Sequence, residues 1–152
     1  MNRVYLLIFT LLLSTASVAS QSEESEKVKR AVLDYIESQH QANPEMMARG
    51  LDKKLAKRTY WQGKNGVEFV METDFETMVY VAENYNKKGD KFPAKPRVEI
   101  DVLDIDNRAA SIKLTADEWI DYMHLYKNDK GEWKIINVLW QYHQESRHGK
   151  KK

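Results

Sequence analysis

Alternating apolar and polar residues dominate the C-terminal third of the chain. Two runs, residues 119–126 and 133–142, are rich in aromatic and β-branched residues, and Asn-Asp-Lys-Gly at 128–131 separates them. Such runs on either side of a turn sequence predict a hairpin of two long antiparallel strands. Both faces of this hairpin carry apolar or aromatic side chains. Because each face has to be covered, we expect helices over one face and a second subunit against the other.

Two shorter runs upstream also alternate with the period of a strand. Residues 97–103 place Val98, Ile100 and Val102 on one face, and residues 109–116 repeat the pattern after a turn at 104–107. Together with the hairpin, these runs predict a meander of four antiparallel strands.

The N-terminal half follows helical spacing instead. Residues 25–39 carry apolar side chains three and four positions apart, Asn43-Pro44 is typical of the start of a short helix, and Gly50 is a plausible end for it. Thr73 and Glu76 form a capping-box pattern ahead of a third helix that ends near residue 86. Short strands are expected near 57–61 and 67–71. Helices followed by a meander predict an α+β fold, with helices on one face of an antiparallel sheet.

Size, charge and cysteine content narrow the function classes. The chain has 152 residues, enough for one domain, and a formal net charge of +1. This balance does not predict nucleic acid as a partner, and the basic residues 148–152 are too few to change that. With no cysteine, the chain has no disulfides, thiolate nucleophiles or cysteine metal ligands. We expect no cofactor, and a polar tail at 144–152 that frays.

Residues 1–20 have the pattern of a secretory signal peptide. Arg3 precedes an apolar run at 4–13, and small residues follow up to Ser20. The apolar run of about ten residues is too short for the roughly 30 Å hydrocarbon core of a bilayer. We therefore expect a periplasmic or secreted protein that is not membrane-bound after cleavage and, lacking cysteine, is not a lipoprotein. The domain proper would occupy residues 21–143.

Four segments, in this element order, resemble the nuclear-transport-factor-2-like superfamily, in particular its secreted branch of putative lumazine-binding proteins. They are Ala31–Ser38, Leu51–Arg58, Asp121–Lys127 and Gly131–Trp140. The resemblance implies a cone-shaped half-barrel with a pocket between a curved sheet and about three N-terminal helices. It also implies a frequent dimer through the outer face of the sheet. Relatives include ketosteroid isomerases, polyketide cyclases and dehydratases, as well as members that only bind or assemble.

An uninterrupted register from the turn at 129–131 assigns the faces of the last hairpin. Asp121, Met123 and Leu125 would then share the inner face with Asn137 and Leu139, whereas a slip of one residue would exchange the faces. The expected ligand pocket comprises Tyr35, Trp61, Met71, Tyr80, Asp121 and Asn137. A carboxylate among apolar neighbours can serve as a general base, which makes Asp121 a catalytic candidate. The alternative is that Asp121 is solvated or paired with a lysine, and that Asn137 satisfies backbone groups.

The opposite face would carry an aromatic patch. Its members are Tyr122, His124, Tyr126, Trp140 and Tyr142. Burial in a homodimer is the first interpretation, because interfaces are enriched in aromatic residues, and a platform for an aromatic ligand or a carbohydrate is the second. His124 has no second histidine at ligand spacing, so no metal site is predicted.

Three functions are compatible with these patterns. The first is non-catalytic binding of a small organic ligand in an apolar pocket. The second is a cofactor-free isomerase, dehydratase or cyclase with Asp121 as general base. The third is a purely structural or interaction module.

Overall fold

Three α-helices and six β-strands make up the part of the chain described by this computed structural model, which covers the backbone of residues 3–149 and the side chains of residues 21–149. The helices are α1 (Arg3–Gln41), α2 (Pro44–Gly50) and α3 (Phe75–Asn84). The strands are β1 (Leu51–Gln62), β2 (Glu68–Thr73), β3 (Val98–Asp106), β4 (Ala109–Ala116), β5 (Trp119–Lys127) and β6 (Trp133–Tyr142). One 3₁₀ turn, Glu145–Arg147, follows β6.

The strands form one open, mixed sheet in the order β2-β1-β6-β5-β4-β3. The predicted meander is confirmed, since β3 to β6 pair antiparallel in sequence. The first strand is longer than predicted, since β1 begins at Leu51 and not near residue 57. It pairs parallel with β6. That parallel pair is what makes the sheet mixed, and it places the β1–β2 hairpin at the far edge.

The helices cover one face of the sheet, as expected for this α+β class. Along α1, the apolar side chains at helical spacing are buried: Val28, Val32, Tyr35 and Ile36. From the sheet, the inward residues Ile112, Leu114, Met123, Ile135 and Val138 complete the core. In β4 and β5 the inward residues alternate with outward ones, which follows from the period of two.

Helix α2 packs very closely on α1. A Cβ atom at Gly50 would lie 2.8 Å from the carbonyl oxygen of Ala31, so a larger residue would push the helices apart. Buried Asp34 of α1 accepts two hydrogen bonds from the Arg49 guanidinium, both at 2.7 Å. A bidentate pair of this kind fixes orientation as well as distance.

The short helices begin at capping residues. Asn43 accepts a hydrogen bond from the backbone N–H of Met46, as its sequence predicted. In α3 the cap is Asp74, whose carboxylate accepts from Thr77 N–H at 2.9 Å. The expected cap at Thr73 was therefore wrong by one residue, because Thr73 still belongs to β2.

A β-bulge in β6 reverses the facing of its second half. His124 lies opposite Asn137 while Leu125 lies opposite Ile135, so Ile136 is an extra residue in β6. A bulge adds one residue to one strand, which exchanges inward and outward positions beyond it. Beyond the bulge, Val138 is buried and Leu139 is 57% exposed.

The bulge overturns part of the predicted face assignment. Asn137 and Leu139 were expected on the inner face, yet they lie on the outer face beside His124 and Tyr122. Trp140 was expected outside but lies opposite buried Asp121, and Tyr142 lies opposite Trp119. Trp140 and Tyr142 therefore do not belong to the outer aromatic patch. Tyr126, also assigned to that patch, donates a hydrogen bond to Asp52.

Helix α1 extends N-terminal to residue 25, where its helical spacing was predicted to begin, and Glu24 joins it to the sheet. Glu24 accepts hydrogen bonds from Lys127 Nζ at 2.8 Å and from Trp133 Nε1 at 2.9 Å. These two donors lower the pKa of Glu24 to about 2. In the described part of the chain, no helix has an apolar stretch sufficient to cross a bilayer. The predicted signal peptide, residues 1–20, lies outside the described side chains.

Candidate functional site

A cavity of about 310 Å³ lies between the inner face of the sheet and helix α3. Its walls come from five elements, α1, β1, β2, α3 and β6, together with the start of β5. The apolar and aromatic lining is Trp61, Met71, Met78, Val81, Trp119 and Trp140. The remaining lining is Gln39, Lys57, Thr73, Thr77, Tyr85, Glu118 and Tyr142. A concave, mainly apolar site with a few convergent polar groups is typical of small-molecule binding.

The loop between α3 and β3 lies beside one side of the cavity. Phe92 of this loop packs edge-on against Tyr85, with ring centroids 5.8 Å apart, and lies 6.1 Å from the Trp119 ring. Asn86 anchors the loop: its amide donates to the His40 carbonyl at 2.7 Å and its oxygen accepts from Lys91 N–H. Phe92 therefore supports two cavity residues, Tyr85 and Trp119.

A buried ion pair forms the polar part of the cavity wall. Lys57 Nζ lies 2.9 Å from Asp121 Oδ1, and both side chains are almost entirely buried. Lys57 projects inward from β1 and Asp121 from β5, with Val138 and Trp140 of β6 between them. Lys57 lines the cavity, whereas Asp121 lies behind it. Burial of two charges is tolerated because they pair and are hydrogen-bonded.

Two further donors complete the surroundings of Asp121. Trp119 Nε1 donates to Oδ2 at 2.8 Å, and the Tyr35 hydroxyl donates to Oδ1 at 3.4 Å. Lys57 Nζ in turn donates to the Tyr35 hydroxyl oxygen. Burial raises the pKa of Tyr35 well above its usual value, and the Asp121 charge raises it further. Tyr35 is therefore a neutral phenol that holds its proton.

The predicted pocket residues are divided by the structure. Trp61 and Met71 are in the cavity wall. Asp121 and Tyr35 are behind Lys57, fully buried and outside the lining. Tyr80 was wrongly included, since it is 65% exposed on the solvent side of α3. Asn137 was also wrongly included: it lies on the outer face and contacts Arg58 and His124.

Of the lining residues, the sequence predicted only Trp61 and Met71; those it missed include Lys57, Trp119, Trp140 and Tyr142. Trp140 and Tyr142 were missed because the bulge was not foreseen. Lys57 could have been found, since it alternates with Leu55, Thr59 and Trp61 and so shares their inward face. A lysine at an inward position needs a buried partner, and Asp121 was the inward carboxylate already identified.

The C-terminal segment, expected to fray, packs against the aromatic wall. His148 is buried between the ends of β1 and β6, where the two strands have separated. Its Nε2 accepts a hydrogen bond from Tyr142 N–H at 2.7 Å, and its carbonyl accepts from Gln62 N–H at 2.8 Å. The backbone N–H can only donate, so the ring proton is on Nδ1, which faces the Tyr60 carbonyl at 3.0 Å. The ring also packs near Trp61 and Trp140.

The described side chains were also searched for a possible metal site. In residues 21–149, no group of three histidine, aspartate or glutamate side chains is arranged to hold an ion. Besides the tryptophan indole N–H groups, the cavity offers one ammonium group, one amide, one carboxylate and four hydroxyl groups, which belong to Lys57, Gln39, Glu118, Thr73, Thr77, Tyr85 and Tyr142.

Comparison with known families identifies the family of this chain. The family model described as "Putative lumazine-binding" matches residues 23–141. The chain belongs to this family. No curated protein matches the sequence.

Solved structures share the fold at low identity. An NTF-2-like protein of unknown function from Silicibacter pomeroyi is 13% identical, with 81% of this chain and 98% of that chain covered and a TM-score of 0.66. A second one, from Shewanella baltica, is 16% identical, with 81% and 96% covered and a TM-score of 0.63. A structure titled putative scytalone dehydratase, from Novosphingobium aromaticivorans, is 13% identical, with 84% and 89% covered and a TM-score of 0.53. These similarities establish the nuclear-transport-factor-2-like fold.

We predict that removing one charge of the ion pair destabilises the protein more than removing both charges. Lys57→Met leaves the Asp121 carboxylate buried without its counter-ion, which is expected to lower the free energy of unfolding by about 3–5 kcal/mol. The double variant Lys57→Met/Asp121→Asn should lose less of its free energy of unfolding, because no charge stays buried. Urea unfolding followed by circular dichroism measures both. Glu99→Gln, which breaks the exposed pair with Arg97, is the control and should change little. Equal losses in the single and double variants would contradict the prediction.

We also predict that His148 stabilises the aromatic wall through its hydrogen bonds. His148→Phe preserves a ring of similar shape but leaves the Tyr142 N–H unpaired, at a cost of about 1–3 kcal/mol, and leaves the Tyr60 carbonyl with only the Thr59 hydroxyl as donor. Urea unfolding and near-ultraviolet circular dichroism, which is sensitive to tryptophan packing, are the measurements. Lys88→Phe, at an exposed residue of the loop between α3 and β3, is the control. Unchanged stability of His148→Phe would show that packing alone holds the segment.

Proposed function

We propose that this protein binds a small, largely aromatic organic molecule in the cavity between the sheet and α3. The observation that carries the proposal is the lining itself, where three tryptophans and two methionines surround a space of about 310 Å³. Pockets of this size bury most of the surface of a small ligand. The family description, which names lumazine binding, points in the same direction.

The lining chemistry indicates what kind of molecule fits. Trp61, Trp119 and Trp140 offer flat apolar surfaces, which favour a planar ring system. Met71 and Met78 have flexible thioether side chains that adapt to the outline of a ligand. The polar groups are few, so the ligand is expected to be mainly apolar.

Secretion is a further part of the proposal. It is supported by the signal-peptide pattern of residues 1–20. We expect the processed chain to encounter its ligand in the periplasm or outside the cell.

We propose that the outer face of the sheet forms a homodimer. Tyr122 and Leu139 lie opposite each other on β5 and β6, 45% and 57% exposed, and His124 lies beside them. Exposed apolar side chains next to each other on a sheet favour burial against a partner. Trp140 and Tyr142 are excluded from this interface because they face the cavity.

Catalysis with Asp121 as general base is the alternative proposal. Its two carboxylate oxygens already accept hydrogen bonds from Lys57, Tyr35 and Trp119. A base must reach the proton that it removes, and Asp121 is outside the cavity lining. We therefore place ligand binding first.

Blocking the cavity should abolish binding without unfolding the protein. Met71→Trp introduces an indole into the cavity from β2, and we expect it to weaken binding of the neutral fluorescent probe N-phenyl-1-naphthylamine at least tenfold. Val70→Trp, on the adjacent residue with its side chain on the opposite face and 61% exposed, is the matched control. Fluorescence titration gives both Kd values. No binding by the wild-type protein, or equal effects of the two variants, would refute the proposed cavity.

The dimer proposal predicts a two-chain mass in native mass spectrometry of protein purified gently from its own host. Replacing Tyr122 and Leu139 by arginine places charge at the centre of the outer face and should yield monomers that still bind N-phenyl-1-naphthylamine. A wild-type monomer at micromolar concentration would rule out the interface. A retained small molecule in the same spectrum would identify the natural ligand by its mass.

A further inference from the structure

We propose that Lys57 is the polar anchor of the site, and that the ligand is a neutral aromatic molecule with a carbonyl oxygen that accepts a hydrogen bond from Lys57 Nζ. This inference rests on the proposed function and specifies its ligand class. Lys57, which was not among the site residues predicted from the sequence, would then orient the ligand.

The donor count at Lys57 leaves one N–H for a ligand. An ammonium group has three N–H donors and no acceptor. One N–H is directed to Asp121 Oδ1 and one to the Tyr35 hydroxyl oxygen. Among residues 21–149, Nζ makes no third hydrogen bond. Since Lys57 lines the cavity, an acceptor oxygen placed there would satisfy a donor that is otherwise buried without a partner.

The surroundings of Lys57 hold Nζ in one place. Asp121 is itself fixed by Trp119 Nε1, and the ammonium lies 5.0 Å from the centre of the Trp140 ring and 5.2 Å from that of Tyr35. An anchor whose position is set before the ligand arrives costs less ordering entropy on binding. Trp119 has two roles, because its indole N–H holds Asp121 while its ring forms part of the cavity wall.

The charge balance favours a neutral ligand over an anion. Asp121 already compensates the charge of Lys57, so the pair as a whole contributes no net charge. The other charged group in the lining, Glu118, is paired with Arg147 at 2.9 Å. A ligand carboxylate would therefore be desolvated without an unpaired cation to offset the cost. A carbonyl oxygen needs a donor only, which Lys57 supplies.

Three naphthalenes of nearly equal shape separate these possibilities. They are 2-acetylnaphthalene, which carries the carbonyl, 2-isopropenylnaphthalene, which replaces that oxygen by a CH₂ group, and 2-naphthoate, which carries a charge. Displacement of N-phenyl-1-naphthylamine measures the affinity of each. We expect the wild-type protein to bind the ketone at least about tenfold more tightly than the alkene, as for a hydrogen bond from a charged donor, and more tightly than the carboxylate.

The variant Lys57→Met/Asp121→Asn tests whether Lys57 is the source of the preference. Here the ketone and the alkene should bind within about twofold of each other. Equal binding of ketone and alkene to the wild-type protein, or a preference that persists in the double variant, would overturn the role of Lys57. Tighter binding of the carboxylate than of the ketone would overturn the neutral ligand class.

These outcomes are distinct from failure of the proposed function. If N-phenyl-1-naphthylamine binds but the ketone has no advantage, the cavity binds aromatic molecules without a Lys57 anchor. If the probe itself does not bind, the proposed function fails. The wild-type comparison can overturn the proposal even if the double variant does not fold, because equal binding of the ketone and the alkene would leave no preference for Lys57 to explain.

Discussion

The buried ion pair between Lys57 and Asp121 is the interaction on which the site depends. It joins β1 to β5 across β6, and through Tyr35 it also contacts helix α1. Burying two charges costs several kcal/mol for each ion before their attraction is counted, so such a pair persists only where geometry and added hydrogen bonds compensate. Tyr35 and Trp119 provide those bonds. The consequence is a fixed ammonium group in the wall of an otherwise apolar cavity.

The bulge at Ile136 is the second constraint, because it decides which face the end of β6 presents to the helices. With the extra residue, Trp140 lies opposite Asp121 and packs against the ammonium of Lys57. Without it, Trp140 and Tyr142 would point away from the cavity, and Leu139 would take their place. The C-terminal segment depends on the same arrangement, since His148 accepts its hydrogen bond from the Tyr142 backbone and packs beside the Trp140 ring. One inserted residue therefore builds both the aromatic wall and its support.

The cavity combines an apolar lining with a polar group that is already paired. Such a site suits selective binding, because aromatic rings of a ligand can stack on flat indole surfaces while the free N–H of Lys57 favours a ligand that carries an acceptor oxygen. The same pairing limits what Asp121 can do as a base, since a proton acceptor has to reach its substrate. A fold does not by itself define a function. Function has to be inferred from the site residues, here from the pairing of Asp121 and the free N–H of Lys57.

Local patterns in the sequence determined the element types, their order, the four-strand meander and the α+β class, because helical and strand periods depend only on neighbouring residues. They also placed Asp121, Trp61 and Met71 on inward positions. The parallel pairing of β1 with β6, the bulge at Ile136 and the burial of His148 depend on contacts between residues far apart in the chain. A single extra residue in β6 exchanges every later side chain between faces, and no local signal marks it. The pairing of Lys57 with Asp121 likewise depends on the tertiary structure, which places β1 and β5 on opposite sides of β6.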